Sequence, residues 1–165
     1  VSWLRDQVVK INTSSQTILT AKGITLTYKQ LVIGTGSQTQ DFNVPGVKEH
    51  ALTFQSLQDV KKLQKKIEQL KLSKDINHKI VIVGGGSNGV ELACKLADLT
   101  TSFAEIHLIE TGNRILPLSK SFNQEQAEKA LDKRKVKVHL CTKVLSVGES
   151  KIEVESQGKK SLSTQ

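Results

Sequence analysis

The chain has 165 residues, a net charge of +8 carried mostly by lysine, 4% aromatic residues, two cysteines and no methionine. That length allows one ordinary domain or pieces of two, and an opening on Val1-Ser2-Trp3 reads as an excised portion of a longer protein with no signal peptide. No apolar run nears the roughly 18 residues of a membrane-spanning helix, and so few aromatics without a groove-binding motif argue against nucleic acid, leaving the lysines as a solvated face or, more weakly, one drawn to an anionic membrane surface.

In chain order, Val8 to Ile11 and Thr17 to Thr20 are short apolar strands around an Asn- and Ser-rich break, which predicts a hairpin. A Lys22-Gly23 turn then leads into Ile24 to Tyr28, completing a small antiparallel meander. Leu31-Val32-Ile33 reads as a buried strand running into Gly34-Thr35-Gly36-Ser37, where glycine suits close approach of a ligand or another segment. Asp41 to Gly46 (DFNVPG) is turn-rich and reads as a linker between domains. From Ser56 a helix begins: Ser56 and Asp59 form a capping pattern, and Leu57, Val60, Leu63, Ile67 and Leu70 recur every three or four residues up to a stop at Asn77. The lysines at 61, 62, 65, 66, 71 and 74 accompany that helix.

Ile80-Val81-Ile82-Val83 is a continuous β-branched run, the pattern of a buried parallel strand. Gly84, Gly86 and Gly89 follow as G-x-G-x-x-G, then an amphipathic helix marked by Val90, Ala93, Leu96 and Ala97, then a second strand, Ile106 to Ile109, ending on Glu110. The motif alone is weak. Its position between strand and helix, with an acid about 20 residues beyond the last glycine, is the dinucleotide-binding arrangement. Gly84 permits the turn, Gly86 lets a pyrophosphate approach, and Gly89 lets the helix pack closely. The helix-start N–H groups around Gly85, Ser87 and Asn88 face the phosphates. Glu110 accepts from the adenosine ribose hydroxyls and repels a 2′-phosphate, which predicts NADH over NADPH; Arg114, four residues on, works against that repulsion.

Beyond Glu110 come a loop, a short helix opened by a Ser121 and Gln124 capping box, a strand at Val136 to Leu140, and a hairpin of Val144–Val147 and Ile152–Val154 through Gly148. The tail from Ser156 is polar and reads as frayed. Cys94 and Cys141 belong to no C-x-x-C and read as buried or half-buried thiols, and the four histidines show no metal spacing, with His107 and His139 packed within strands.

This order of motifs, Y-x-x-L-V-I-x-T-G-S, then V-P-G, then V-x-G-G-G-x-x-G-V-E-L-A, resembles the two-dinucleotide flavoproteins, which include the pyridine nucleotide–disulfide oxidoreductases. Within them it is most similar to the type II NAD(P)H dehydrogenases, which pass electrons to quinone. The resemblance implies a mixed α/β fold, with a Rossmann-like NAD(P)-binding parallel sheet, an antiparallel meander and part of an FAD-binding domain. It divides the chain into 1–53 (partial FAD domain), 54–156 (NADH domain) and 157–165 (truncated or frayed tail). Thr35 and Gly36 then match the segment that closes over FAD, with Gly34 where alanine is usual. Glu91 matches a glutamate near the nicotinamide carboxamide and flavin, although helix-dipole complementarity would explain it equally well.

The implied activity is hydride transfer from NADH to FAD and on to a quinone, with no residue of this chain serving as nucleophile or general acid–base. The implied parent is a cytoplasmic or membrane-peripheral enzyme, on an inner or thylakoid-type membrane face, with room for a homodimer. Because the family's first glycine motif and its flavin-ring contacts fall outside this sequence, the chain alone is expected to be inactive. Two alternatives stay open: a reductase with another acceptor (disulfide, ferredoxin or oxygen), and a non-catalytic module that senses NADH.

Overall fold

The computed structural model describes residues 2–36, 38–73, 77–156 and 159–164, and the chain divides after residue 37 into two units. In the first, Asn12 builds the opening turn: its Oδ1 accepts from the N–H groups of Ser14 and Ser15, both at 3.0 Å, and Gln16 takes a left-handed φ of 51°. The turn joins β1 (Val8–Asn12) to β2 (Thr17–Thr20), and Gly23, at φ 80°, turns the chain into β3 (Thr25–Thr27). The three form an antiparallel sheet in sequence order, the expected meander.

The expected strand at Leu31 to Ile33 does not form. Residues 31–36 have no regular structure, and Val32 and Ile33 are 90% and 67% exposed. A strand exists only through its ladder, and no described strand pairs with this segment.

The second unit begins at Gln38. Its opening turn, the expected linker at Asp41 to Gly46, is held by contacts of its own. Asp41 Oδ1 accepts from Asn43 N–H at 3.0 Å, Val44 packs into an apolar cluster with Ile109, Val144, Ile152 and Val154, and Pro45 C=O accepts from Val147 N–H at 2.9 Å. Gly46, at φ 80°, lies so close to Val147 C=O that a Cβ would fall 1.8 Å from that oxygen. Residues 38–53 therefore pack within the second of the two units.

A single helical turn, α1 (Val47–His50), precedes α2 (Leu57–Leu72). The predicted capping box opens α2: Ser56 Oγ accepts from Asp59 N–H at 3.2 Å, and Asp59 Oδ2 accepts from Ser56 N–H at 3.0 Å. The helix stops at Leu72 rather than Asn77, and residues 74–76, including Lys74, lie outside the described residues. Leu63 and Ile67 turn toward the core while Lys61, Lys62, Lys65, Lys66 and Lys71 stay exposed, as a solvated face requires.

Strands β4 (His78–Val83), β5 (Ala104–Ile109) and β6 (Lys137–His139) form a parallel sheet in that order, with α3 (Ser87–Thr100) and α4 (Ser121–Lys133) as the connections. Side chains of one sheet face (Ile82, Ile106 and Leu108) meet Ala93, Leu96 and Leu131 of the helices in the main core. The opposite face carries Ile109 onto an antiparallel sheet of β7 (Thr142–Val147), β8 (Lys151–Ser156) and β9 (Lys159–Thr164).

Three local expectations change. The Ser121/Gln124 capping box is absent: Lys120 is the N-cap residue, and the buried Gln124 donates from Nε2 to Leu116 C=O at 2.9 Å, stitching the preceding loop instead. Residues 159–164, expected to fray, pair with β8 from Ser156↔Lys159 to Lys151↔Thr164; main-chain bonding asks nothing of side-chain hydrophobicity, which is why a polar segment escapes a hydrophobicity pattern. Cys141 is exposed at a left-handed φ of 49° just before β7, whereas Cys94 is half-buried and burial pushes its thiol pKa up. No described helix is long and apolar enough to cross a membrane.

Candidate dinucleotide-binding site

The site grows from the carboxyl ends of β4 and β5. Gly84 leaves β4 at φ 109°, a backbone state that L side chains rarely adopt, and its N–H donates to Ile109 C=O at 2.8 Å. Gly86 is the N-cap residue of α3, with no side-chain cap, so the first-turn N–H groups aim out of the helix. A Cβ on Gly86 would meet nothing within 4 Å, whereas one on Gly89 would sit 1.9 Å from Gly84 C=O. The two glycines thus serve opposite needs: Gly89 lets the loop close on itself, and Gly86 leaves an open face above a helix N-terminus. That open, positively polarised face fits a pyrophosphate.

Glu110 lies beside this loop, held from several directions. Its Oε2 accepts from Gly85 N–H at 2.7 Å. Its Oε1 accepts from Gly112 N–H at 2.6 Å and from Thr111 Oγ at 3.1 Å. Partial burial opposes ionisation, but the donated hydrogen bonds outweigh it and hold the carboxyl below the usual glutamate range. The backbone is equally anchored: Glu110 N–H donates to His139 C=O at 2.9 Å, and Glu110 C=O accepts from Thr142 N–H at 3.0 Å. Leu116 N–H closes the following loop onto Gly85 C=O at 2.8 Å.

Gly84, Gly85, Gly86, Gly89 and Glu110 are therefore brought together. Ser87 and Asn88 are exposed at the start of α3. Glu91 is exposed just past the first helical turn, which contains no acid; a dipole effect fades within that turn, so complementarity to the helix explains Glu91 poorly. Arg114 is exposed on the loop after Glu110, with no ion pair joining the two. Thr35 and Gly36 lie in the first unit, exposed, where Cβ atoms on Gly34 and Gly36 would meet nothing within 4 Å. Such open backbone fits one edge of a flavin site. Thr111, Gly112 and His139 were not foreseen, because each acts through backbone or hydroxyl groups brought to Glu110 by chain return.

The family model of the pyridine nucleotide-disulphide oxidoreductases matches residues 1–165. The chain belongs to this family. It is 40% identical over 122 residues to the demethylphylloquinone reductase NdbB of Synechocystis sp., covering 74% of this chain and 30% of that protein. It is 30% identical over 158 residues to the mitochondrial external alternative NAD(P)H-ubiquinone oxidoreductase B2 of Arabidopsis thaliana, covering 83% and 27% respectively. In three dimensions it is similar to the NDH2 of Plasmodium falciparum solved in complex with NADH, with a TM-score of 0.70 at 21% identity, covering 98% of this chain and 38% of that one. This family chain thus spans about a third of the proteins it matches, and the last likeness concerns the fold.

Proposed function

We propose that this chain is the NADH-binding portion of an FAD-dependent NADH dehydrogenase that delivers electrons to a quinone. The observation that carries the proposal is the pairing of an open glycine face at the α3 N-terminus with an ionised Glu110 fixed beside it. In this reading the N–H groups of the Gly84–Gly89 loop, with Ser87 and Asn88, receive the pyrophosphate of the dinucleotide. Glu110 accepts from the ribose hydroxyls. Its oxygens already hold three donors, and a carboxylate has about four acceptor positions, so one bond to the ribose completes the set. Glu91 extends toward the nicotinamide end, and Thr35 and Gly36 contribute one edge of the flavin site. When bound, FAD supplies the two-electron acceptor chemistry; the chain's own part is to bind and orient.

The quinone is the expected acceptor because relatives at 40% and 30% identity bear quinone-reductase names. A lipid-soluble acceptor in turn places the whole protein at a membrane surface. The test is a calorimetric titration of the chain with NADH, together with a quinone-reduction assay on the whole FAD-loaded protein. One saturable NADH site and NADH-dependent quinone reduction are expected. Heat-silent titrations, or NADH oxidation that leaves quinone unreduced, would refute the corresponding half of the proposal.

A further inference from the structure

Across the β5–β6 seam, His107 Nδ1 and His139 Nε2 are 3.0 Å apart, in rings that stack at 5.2 Å and 3°. His107 Nε2 also bonds Glu105 Oε2 at 2.8 Å, and Glu105 Oε1 pairs with Lys137 Nζ at 2.6 Å. A carboxylate only accepts, so His107 Nε2 carries a hydrogen. The 3.0 Å His107–His139 contact then needs one donor and one acceptor, hence a single hydrogen between the two nitrogens. One added proton is tolerated, because a charged His107 donates to both Glu105 and a neutral His139. A second is not: it would set two N–H groups against each other, and the contact must open.

His139 is also the residue whose C=O receives Glu110 N–H, the last ladder bond between β6 and β5. We propose that His107 and His139 are a proton-sensitive positioning pair for Glu110, which lets the site's grip on a dinucleotide loosen when the second proton enters. The inference rests on the nucleotide reading above. The charged groups on this sheet face are Glu105 and Lys137, on the pair's own two strands, and Lys79 on β4, in register with Glu105, besides each histidine on the other. From the antiparallel sheet, Val144, Ile152 and Val154 pack on Ile109, two residues along β5 on the same face, and are apolar. Burial, His107 and Lys137 all disfavour a charged His139, so the second proton enters on the acid side of the ordinary histidine range.

The experiment follows the Glu110 amide and the histidine rings by NMR from about pH 7.5 to 5, reaching to the acid side of the histidine range, with oxidised NAD (stable in acid) titrated calorimetrically at each pH. The Glu110 amide shift is expected to track the His139 titration. The dissociation constant should rise with acid by at most about tenfold per pH unit, the limit for one coupled proton. His139→Gln, with His107→Gln as the second variant, should flatten that slope. A Glu110 amide indifferent to the histidine titration, or a His139→Gln variant with the parent slope, overturns the inference. An amide that tracks His139 in a chain that binds no NAD at any pH upholds the positioning pair and refutes the nucleotide reading instead.

Discussion

Replacing Glu110 with glutamine tests the clamp at its centre. The two side chains are nearly isosteric, but an amide offers one acceptor oxygen and one donor nitrogen, whereas Glu110 receives donors on both oxygens. Either orientation of the glutamine sets an NH₂ against a backbone N–H, that of Gly85 or of Gly112. Each hydrogen bond to a charged group contributes about 1.5–3 kcal/mol. Because Glu110 is only partly buried, solvent screening reduces this, and a net loss of about 1–2 kcal/mol is reasonable. At about 4 °C per kcal/mol, Tm should fall by about 4–8 °C at neutral pH.

The pH dependence sharpens the test. The folded-state pKa of Glu110 is held below the usual glutamate range, so the unfolded chain takes up the proton first. Its contribution is complete above the unfolded value and disappears as pH falls through the depressed one. The Tm difference between parent and Glu110→Gln should therefore shrink in acid. Thermal denaturation by circular dichroism, run as a pH series, reads both. A Glu110→Gln chain as stable as the parent at neutral pH, or a Tm gap that stays constant in acid, would refute the clamp.

Gly86→Val should leave Tm nearly unchanged, since a Cβ there meets nothing within 4 Å, yet abolish NADH binding by filling the open face; calorimetry and a melting curve check both. Gly89→Ala should do the reverse in stability, costing about 1–3 kcal/mol in denaturant titrations, because its Cβ would lie 1.9 Å from Gly84 C=O and the turn must shift. NADH should bind more tightly than NADPH at one ionic strength, with Arg114→Ala widening the gap; equal affinities would remove Glu110 as the selecting acid. Leu108→Ala, at a side chain 0% exposed in the core, should cost about 2–5 kcal/mol in the same titrations.

The amino-acid sequence alone determined the features that express a local backbone demand. The β-branched run at Ile80–Val83, the glycine spacing and the 3.6-residue periodicity of α2 and α3 each constrain conformation within a few residues, and each appears where expected. Asn12 and Gly23 placed the turns of the first meander for the same reason. Tertiary structure decided whatever depended on distant chain. The apolar run at Leu31–Ile33 cannot announce a strand partner, so it reads as buried whether or not one is present. Ser121 and Gln124 have the spacing of a capping box, but burial claimed Gln124 for the Leu116 carbonyl. β9 is held by main-chain pairing to β8, which leaves no trace in side-chain chemistry. Glu110 could be named from its offset, yet its orientation comes from N–H groups of Gly85 and Gly112 and from the carbonyl of His139. Backbone groups are the same at every residue, so only the path of the chain decides which of them meet.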